Sequence, residues 1–293
     1  MKKVIIVGSL NTDLVINAPY SPRGGETLMG SGFMINSGGK GANQACACAK
    51  LGGVAYMCGC VGKDSFGLEL IDNLKNVGVN TDYIRQVDNT PSGVAVITVT
   101  QGENRIIIDS GANGYLNKED IDSVLEIAQK GDIYLTQLEN PIDVIGYGLK
   151  RAKEKGLFTV LNPAPANTEI LKYIEYVDVI TPNETESELL GGTQSLLNSG
   201  IKTVITTLGS RGFEIATVDS AEIYPCIKIT PVDTTAAGDT ACGGLCAKLS
   251  QGVDLVSAMK FGSCAASIAC TRSGAQKSIP TVCEVESYLS RAD

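Results

Sequence analysis

Residues 132–161 read DIYLTQLENPIDVIGYGLKRAKEKGLFTVL. Two short apolar runs, 132–138 and 157–161, flank a stretch whose apolar residues recur at helical spacing over 142–155. A strand, a helix and a second strand in that order predict two parallel strands joined by a crossover helix. Working outward, the alternation continues. A helix over 118–130 precedes this unit. A helix near 168–176, a strand over 177–181, a helix near 184–190 and a strand over 203–207 follow it. Strands over 212–218 and 222–229 come next, and helices over 239–250, 254–271 and 282–291 close the chain. Toward the N-terminus lie a strand over 3–8, an Ala-rich helix over 40–51 stopped by Gly52-Gly53, and a strand over 54–61. Asp64 can cap a helix with Phe66, Leu70, Leu74 and Val77 on one face, ending at Gly78. The pattern predicts an α/β fold with a mainly parallel sheet covered by helices on both faces.

Two β-rich pieces interrupt this rhythm. Residues 14–37 are broken by Pro19, Pro22 and several glycines, and predict short strands. Residues 92–100 and 104–109 predict a hairpin turning at Gln101-Gly102-Glu103. Neither piece buries a face alone. They are expected to pair as a small β-sheet lid, formed by about 14–37 and 90–110, over the carboxyl edge of one domain spanning 1–293.

The chain has 293 residues, 43% hydrophobic and 19% charged, enough for a substantial core. Its net charge of −8 argues against nucleic acid and anionic membranes as partners. There is no His, which excludes Ser-His-Asp and Cys-His catalysis and the HExxH zinc helix. A general base must therefore be Asp, Glu, Lys, Tyr or Cys. None of the ten cysteines is spaced C-x-x-C; they read as buried small hydrophobes in a reducing compartment. The apolar run Val4–Val7 is too short for a signal peptide, and no run reaches membrane-spanning length, so a cytoplasmic protein is expected.

Four segments carry chemistry. Gly38-Gly39-Lys40-Gly41-Ala42-Asn43-Gln44 is neither a Walker A loop nor G-x-G-x-x-G. Its glycines let backbone approach a ligand, with Lys40 and Asn43 as donors, though alone it reads equally as a tight turn. Asp233-Thr234-Thr235-Ala236-Ala237-Gly238-Asp239 runs into a helix of small residues. Backbone N–H groups at such a start make an anion hole; Asp239 reads as an ordinary acid of a first helical turn or, beside that hole, as the carboxylate that phosphoryl transfer to a hydroxyl requires. Thr181-Pro182-Asn183-Glu184-Thr185-Glu186 enters a helix from a strand end, where Asn183 would ordinarily be a cap. Thr206-Thr207-Leu208-Gly209-Ser210-Arg211-Gly212 is a strand end with a glycine turn, compatible with phosphate contact or a bare hairpin.

In this order, and with Gly8–Asp13, Gly25-Glu26-Thr27, Gly111-Ala112-Asn113, Gln137-Leu138-Glu139, Asn162–Ala166 and Thr271–Gln276, the segments resemble the ribokinase-like (PfkB) carbohydrate kinases over nearly the whole chain. The resemblance implies a three-layer sandwich with a β-sheet lid. It implies ATP-dependent phosphorylation of a small sugar, foremost D-ribose at its 5-hydroxyl, with Mg²⁺ and an activating K⁺. By that resemblance Asp239 is the base, and Ala236, Ala237 and Gly238 form the anion hole. Asn11, Asp13, Gly39, Lys40, Asn43 and Glu139 bind sugar, with Asp239. Asn183 and Glu186 correspond to the family's Asn-x-x-Glu motif for Mg²⁺ and phosphate, and Thr207 and Gly209 to nucleotide contacts. Asp233, Thr235, Ala269, Arg272, Gly274 and Ser278 correspond to a loop whose backbone carbonyls hold K⁺. Two departures stand out. The chain between Glu186 and Thr203 is shorter than in the family, where another helix is usual, and residues 262–266, expected near adenine, hold no aromatic. The exposed edges of the lid imply pairing with a second lid in a homodimer. Alternatives are 2-deoxyribose, fructose or a nucleoside as acceptor, or a non-catalytic sugar or nucleotide sensor on the same scaffold.

Overall fold

A computed structural model describes residues 1–290 apart from Gly102. The expected turn residue Gly102 and the expected end of the last helix, Arg291, lie outside the described residues. The body is built on strands β1 (Lys3–Val7), β4 (Val54–Gly62), β5 (Asn80–Val87), β8 (Ile133–Thr136), β9 (Phe158–Leu161), β10 (Val179–Ile180), β11 (Thr203–Thr207), β12 (Phe213–Ala216) and β13 (Ala221–Tyr224). They lie in the order β13-β12-β11-β10-β9-β8-β1-β4-β5. All neighbours from β11 across to β5 are parallel; β12 and β13 add an antiparallel edge. The strand order reverses between β1 and β8, the kind of crevice where open α/β sheets bind ligands.

β1 shows why three layers form. Val4 and Ile6 point into one core and Ile5 and Val7 into the other, as the two-residue period of a strand dictates. The first core is closed by α1 (Lys40–Lys50), α2 (Ser65–Asn76), α7 (Ala237–Ser250), α8 (Leu255–Ala269) and α9 (Val282–Leu289). The second is closed by α3 (Lys118–Leu125), α4 (Ile142–Glu154), α5 (Glu184–Leu189) and α6 (Thr193–Asn198). Small residues let α7 approach its neighbours closely: a Cβ on Gly262 would come within 2.4 Å of Ala241 O.

The expected lid segments form a separate four-stranded sheet in the order β3-β2-β6-β7, from β2 (Asn11–Asn17), β3 (Ser31–Gly38), β6 (Gly93–Thr100) and β7 (Glu103–Asp109). β2 runs parallel to β6; the outer pairings are antiparallel, and β6–β7 is the expected hairpin.

Several expectations change. β5 was not anticipated: its sequence NTDYIRQV is half polar because this edge strand is only partly covered. The helix expected over 118–130 stops at Leu125, and the segment near 168–176 is a 3-10 helix. Most predicted strands are shorter than expected; that over 177–181 is reduced to two residues. The abbreviated segment before Thr203 keeps a second short helix, α6. Cys226, Cys270 and Cys283 are not buried, unlike the other seven cysteines.

Candidate active site

The carboxyl ends of β1, β8, β9, β10 and β11 deliver Ser9–Asn11, Gln137–Glu139, Asn162, Thr181–Asn183 and Thr207 to one edge of the sheet. The N-termini of α1 and α7 meet them there. Gly39 is the residue before α1 and has φ +86°. A Cβ at Gly41 would lie 2.6 Å from the carbonyl carbon of Gly8, so α1 starts in direct backbone contact with the end of β1.

This contact gathers the expected sugar set. Glu139 Oε2 accepts from Ser9 Oγ, from Lys40 N at 3.3 Å and from Asn11 Nδ2 at 3.5 Å. Asn113, quoted above but given no role, proves to be the bracket of this corner. Its Oδ1 accepts from Leu10 N at 2.9 Å, and its Nδ2 donates to Asn11 Oδ1 at 2.7 Å. Glycine at 93 leaves room for that pair, since a Cβ there would fall 2.2 Å from Asn11 Oδ1. Asn11 and Glu139 also line a cavity of about 470 Å³ between lid and body, with Ile108, Asn113, Asn140 and Pro165. Asp13, Lys40 and Asp239 lie outside its lining, so this cavity adjoins the charged centre without containing it.

Asp239 is buried in the first turn of α7, and its carboxylate accepts from Asn43 Nδ2 at 3.0 Å and Gln44 Nε2 at 2.9 Å. Asn43, expected to bind sugar, thus spends one N–H on Asp239. Gln44, to which the motif assigns no role, meets the other oxygen; an amide directly after Asn43 at the start of a helix is the only signal the sequence carries for it. Burial works against the Lys40 ammonium, but the Asp239, Glu139 and Glu186 carboxylates outweigh it and hold its pKa above the usual lysine value. Burial first, then the charges of Glu139 and Asp239, push the Asp13 carboxyl up to about 7. A carboxyl raised in this way binds its proton more tightly folded than unfolded, so stability falls as pH rises from about 4 through 7. Asp13→Asn removes that penalty. It is expected to stabilise the fold by about 2–4 kcal/mol at pH 8 and by little at pH 4. Thermal melts at both pH values check this; equal shifts at the two would contradict it.

The α7 start has the form of an anion hole, with one correction. Ala236 takes the left-handed conformation at φ 58°, and Ala237 N donates to Thr234 O at 3.2 Å, so its N–H is turned into the loop. Gly238 is exposed, and a Cβ there would meet nothing within 4 Å. The space in front of the helix is open to a ligand.

Asn183 and Glu186 form a capping box: Asn183 Oδ1 accepts from Glu186 N at 2.8 Å and Glu186 Oε2 from Asn183 N at 2.9 Å. The ordinary capping role is therefore real. Yet Glu186 senses both Lys40 and Asp239, and burial above all raises its pKa. It faces the same centre. Thr207 sits beside it, bridged in parallel to Asn183, and Gly209 (φ 57°) turns the chain with open space around its Cα. Of the stretch 262–266, Gly262, Cys264 and Ala265 are packed inside, leaving Ser263 and Ala266 half-buried.

Of the residues expected to form a cation loop, Asp233, Thr235 and Gly274 come together. Asp233 Oδ1 accepts from Thr235 N at 2.9 Å and Thr235 Oγ1 at 2.6 Å, and its Oδ2 from Gly274 N at 3.0 Å. Burial opposes the Asp233 charge, but these bonds outweigh it and lower its pKa. The side chains of Arg272 and Ser278 are engaged elsewhere, with Glu284 and with Ala275 O, and Ala269 O accepts from Arg272 N. Among the described residues no three His, Cys, Asp or Glu side chains converge as a metal cage.

Comparison with known proteins places these residues in context. The model of the pfkB family carbohydrate kinases matches residues 1–282. A ribokinase of Haemophilus influenzae is 39% identical, covering 99% of both chains. A deoxyribokinase of Salmonella typhi is 36% identical over 98% of both. The solved ribokinase of Thermotoga maritima superposes with a TM-score of 0.89 at 36% identity, covering 99% of this chain and 100% of that one. A ribokinase of Arabidopsis thaliana solved with ribose and ATP superposes with a TM-score of 0.88 at 30% identity, covering 98% of both.

Proposed function

The chain belongs to the pfkB family of carbohydrate kinases, and from that premise we propose that it transfers the γ-phosphoryl group of ATP to the 5-hydroxyl of D-ribose, giving ribose 5-phosphate and ADP. The observation that carries this reading is the buried Asp239 carboxylate at the open N-terminus of α7, facing a polar floor of Asn11, Asp13, Lys40 and Glu139.

Carboxylates and amides suit a polyol, because each hydroxyl they desolvate can be hydrogen-bonded in return. Asn11, Asp13, Lys40 and Glu139 hold the sugar hydroxyls, with the Gly39 backbone close behind. Asp239 accepts the proton of the 5-hydroxyl as its oxygen attacks the γ-phosphorus. The N–H groups of Ala236 and Gly238 and the α7 dipole face the charge that develops on the transferring group. Thr207 and Gly209 lie where the nucleotide follows the strand edge. Mg²⁺ bound with ATP would neutralise phosphate charge, and Asn183 and Glu186 would be the residues to hold it. The segments holding Asp233, Thr235, Ala269, Arg272, Gly274 and Ser278 would hold a monovalent ion such as K⁺ rather than a divalent one, since they offer a single carboxylate. The Asp233 carboxylate is already taken by internal donors and shapes the loop.

The lid closes over the sugar and keeps water from the γ-phosphate. β7 is exposed along its whole length, with Ile106, Ile107 and Ile108 each at least 48% exposed. An apolar edge of this kind suits pairing with a second copy into a homodimer. Light scattering at micromolar concentration is expected to give twice the chain mass; a monomer would refute the pairing. Ten free cysteines suit a reducing cytoplasm, and no helix among the described residues is long and apolar enough to cross a membrane.

The function is tested by coupled ADP release with MgATP and ribose, 2-deoxyribose, fructose or adenosine, with and without K⁺. Ribose-dependent turnover stimulated by K⁺ is expected. Turnover with another acceptor alone would move the substrate, and silence with all four in a protein that binds ATP would favour a sensor.

A further inference from the structure

Each oxygen of Asp239 is met by the amide of a different α1 residue, Asn43 at 3.0 Å and Gln44 at 2.9 Å. An amide side chain can turn either end toward a neighbour, so what aims its N–H₂ at a carboxylate must lie at its other end. Here both other ends are pinned. Gln276 Nε2 donates to Asn43 Oδ1 at 3.1 Å, and Gln137 Nε2 donates to Gln44 Oε1 at 2.6 Å. The second N–H of Gln44 goes to Asn162 Oδ1 at 3.0 Å, and Asn162 is itself anchored to Thr181 O at 2.9 Å. Gln44 and Gln137 are wholly buried. Gln137 bears a cost for its place: its Oε1 is buried without a partner among the described residues, at the point where a Cβ on Gly8 would come within 2.0 Å. Turning that amide over would set two carbonyl oxygens, of Gln137 and Gln44, against each other.

Resting on the kinase reading above, we propose that Gln44, locked by Gln137 and Asn162, is a positioning residue that fixes the plane of the Asp239 carboxylate for proton transfer from the sugar. The carboxylate is held from behind by an α1 amide that is itself pinned at the ends of β8 and β9, and the β8 end also delivers Glu139. Base and substrate are thereby referred to one rigid edge. Gln44 does not reach the sugar, so its loss is felt in kcat rather than in ribose binding.

The test measures kcat and ribose KM by coupled ADP release for the parent, Gln44→Leu and Gln44→Glu from pH 6 to 9, with the melting temperature of each. Gln44→Leu is expected to lower kcat about 10–100-fold with KM within about threefold. Gln44→Glu places a second carboxylate against Asp239, in a centre that already holds Asp13, Lys40, Glu139, Glu186 and the Cys242 thiol. Two touching carboxylates resist ionising together. The kcat deficit of this variant relative to the parent is therefore expected to shrink as pH rises, which a merely structural role would not produce. Should Gln44→Leu not fold, Gln137→Leu, which releases the pin alone, carries the kcat test. A folded Gln44→Leu with the parent's kcat, or a Gln44→Glu deficit flat with pH, would overturn the proposal while leaving the kinase reading intact. A parent that turns over no sugar would overturn both.

Discussion

Asp239→Asn is expected to lower kcat by about 10²–10⁴-fold while ribose KM stays within a few-fold. The substitution keeps the shape of the side chain and removes its capacity to take a proton. The sugar floor of Asn11, Asp13, Lys40 and Glu139 is untouched, so binding survives. The variant is also expected to be somewhat less stable. Asn43 and Gln44 both present N–H₂ groups to residue 239, and an Asn side chain can offer an oxygen to only one of them. Steady-state ADP release and calorimetric titration with ribose separate the two effects. Near-parental turnover would remove Asp239 from the chemistry.

The second large effect concerns the backbone. Gly39→Ala is expected to destabilise the protein by about 3 kcal/mol or more, lowering Tm by roughly 6–12 °C. Gly39 has φ +86°, and its Cβ would lie 2.6 Å from Asn11 N, 2.8 Å from Leu10 Cα and 2.9 Å from Ser9 O. All of these are backbone atoms, so no side chain can swing away. The chain leaving β1 and the start of α1 would have to part, and that junction carries both Asn11 and Lys40. Thermal unfolding measures the cost. A melting temperature within 2 °C of the parent (the shift of less than about 1 kcal/mol) would show the contact to be looser than described.

The body of the fold was legible because its signals are local. The period of 3.6 over 142–154 and the strand around the apolar run Val4–Val7 survive in the structure almost residue for residue. β5 escaped because an edge strand is only half covered, and its polar residues face solvent. The 3-10 form of 168–176 escaped because its apolar spacing fits either helix. The candidate site was legible as a set of motifs, each ambiguous alone. Asn183 is the plainest case: its sequence context reads as a cap, it is a cap, and it still stands beside the charged centre.

The sequence by itself determined the alternation of elements, the absence of histidine chemistry and the presence of a carboxylate, Asp239, at a small-residue helix start. Those are properties of neighbouring residues and of composition. Only the tertiary structure decided which side chains meet. Asn113 reaches Asn11 across 102 residues, and Gln44 reaches Asp239 across 195. It also decided that Asp13 lies buried beside two other carboxylates. Such pairings depend on the crossing of β1, β8, α1 and α7 at one edge of the sheet. No local pattern encodes them, because a hydrogen bond is set by distance in space and not by distance along the chain.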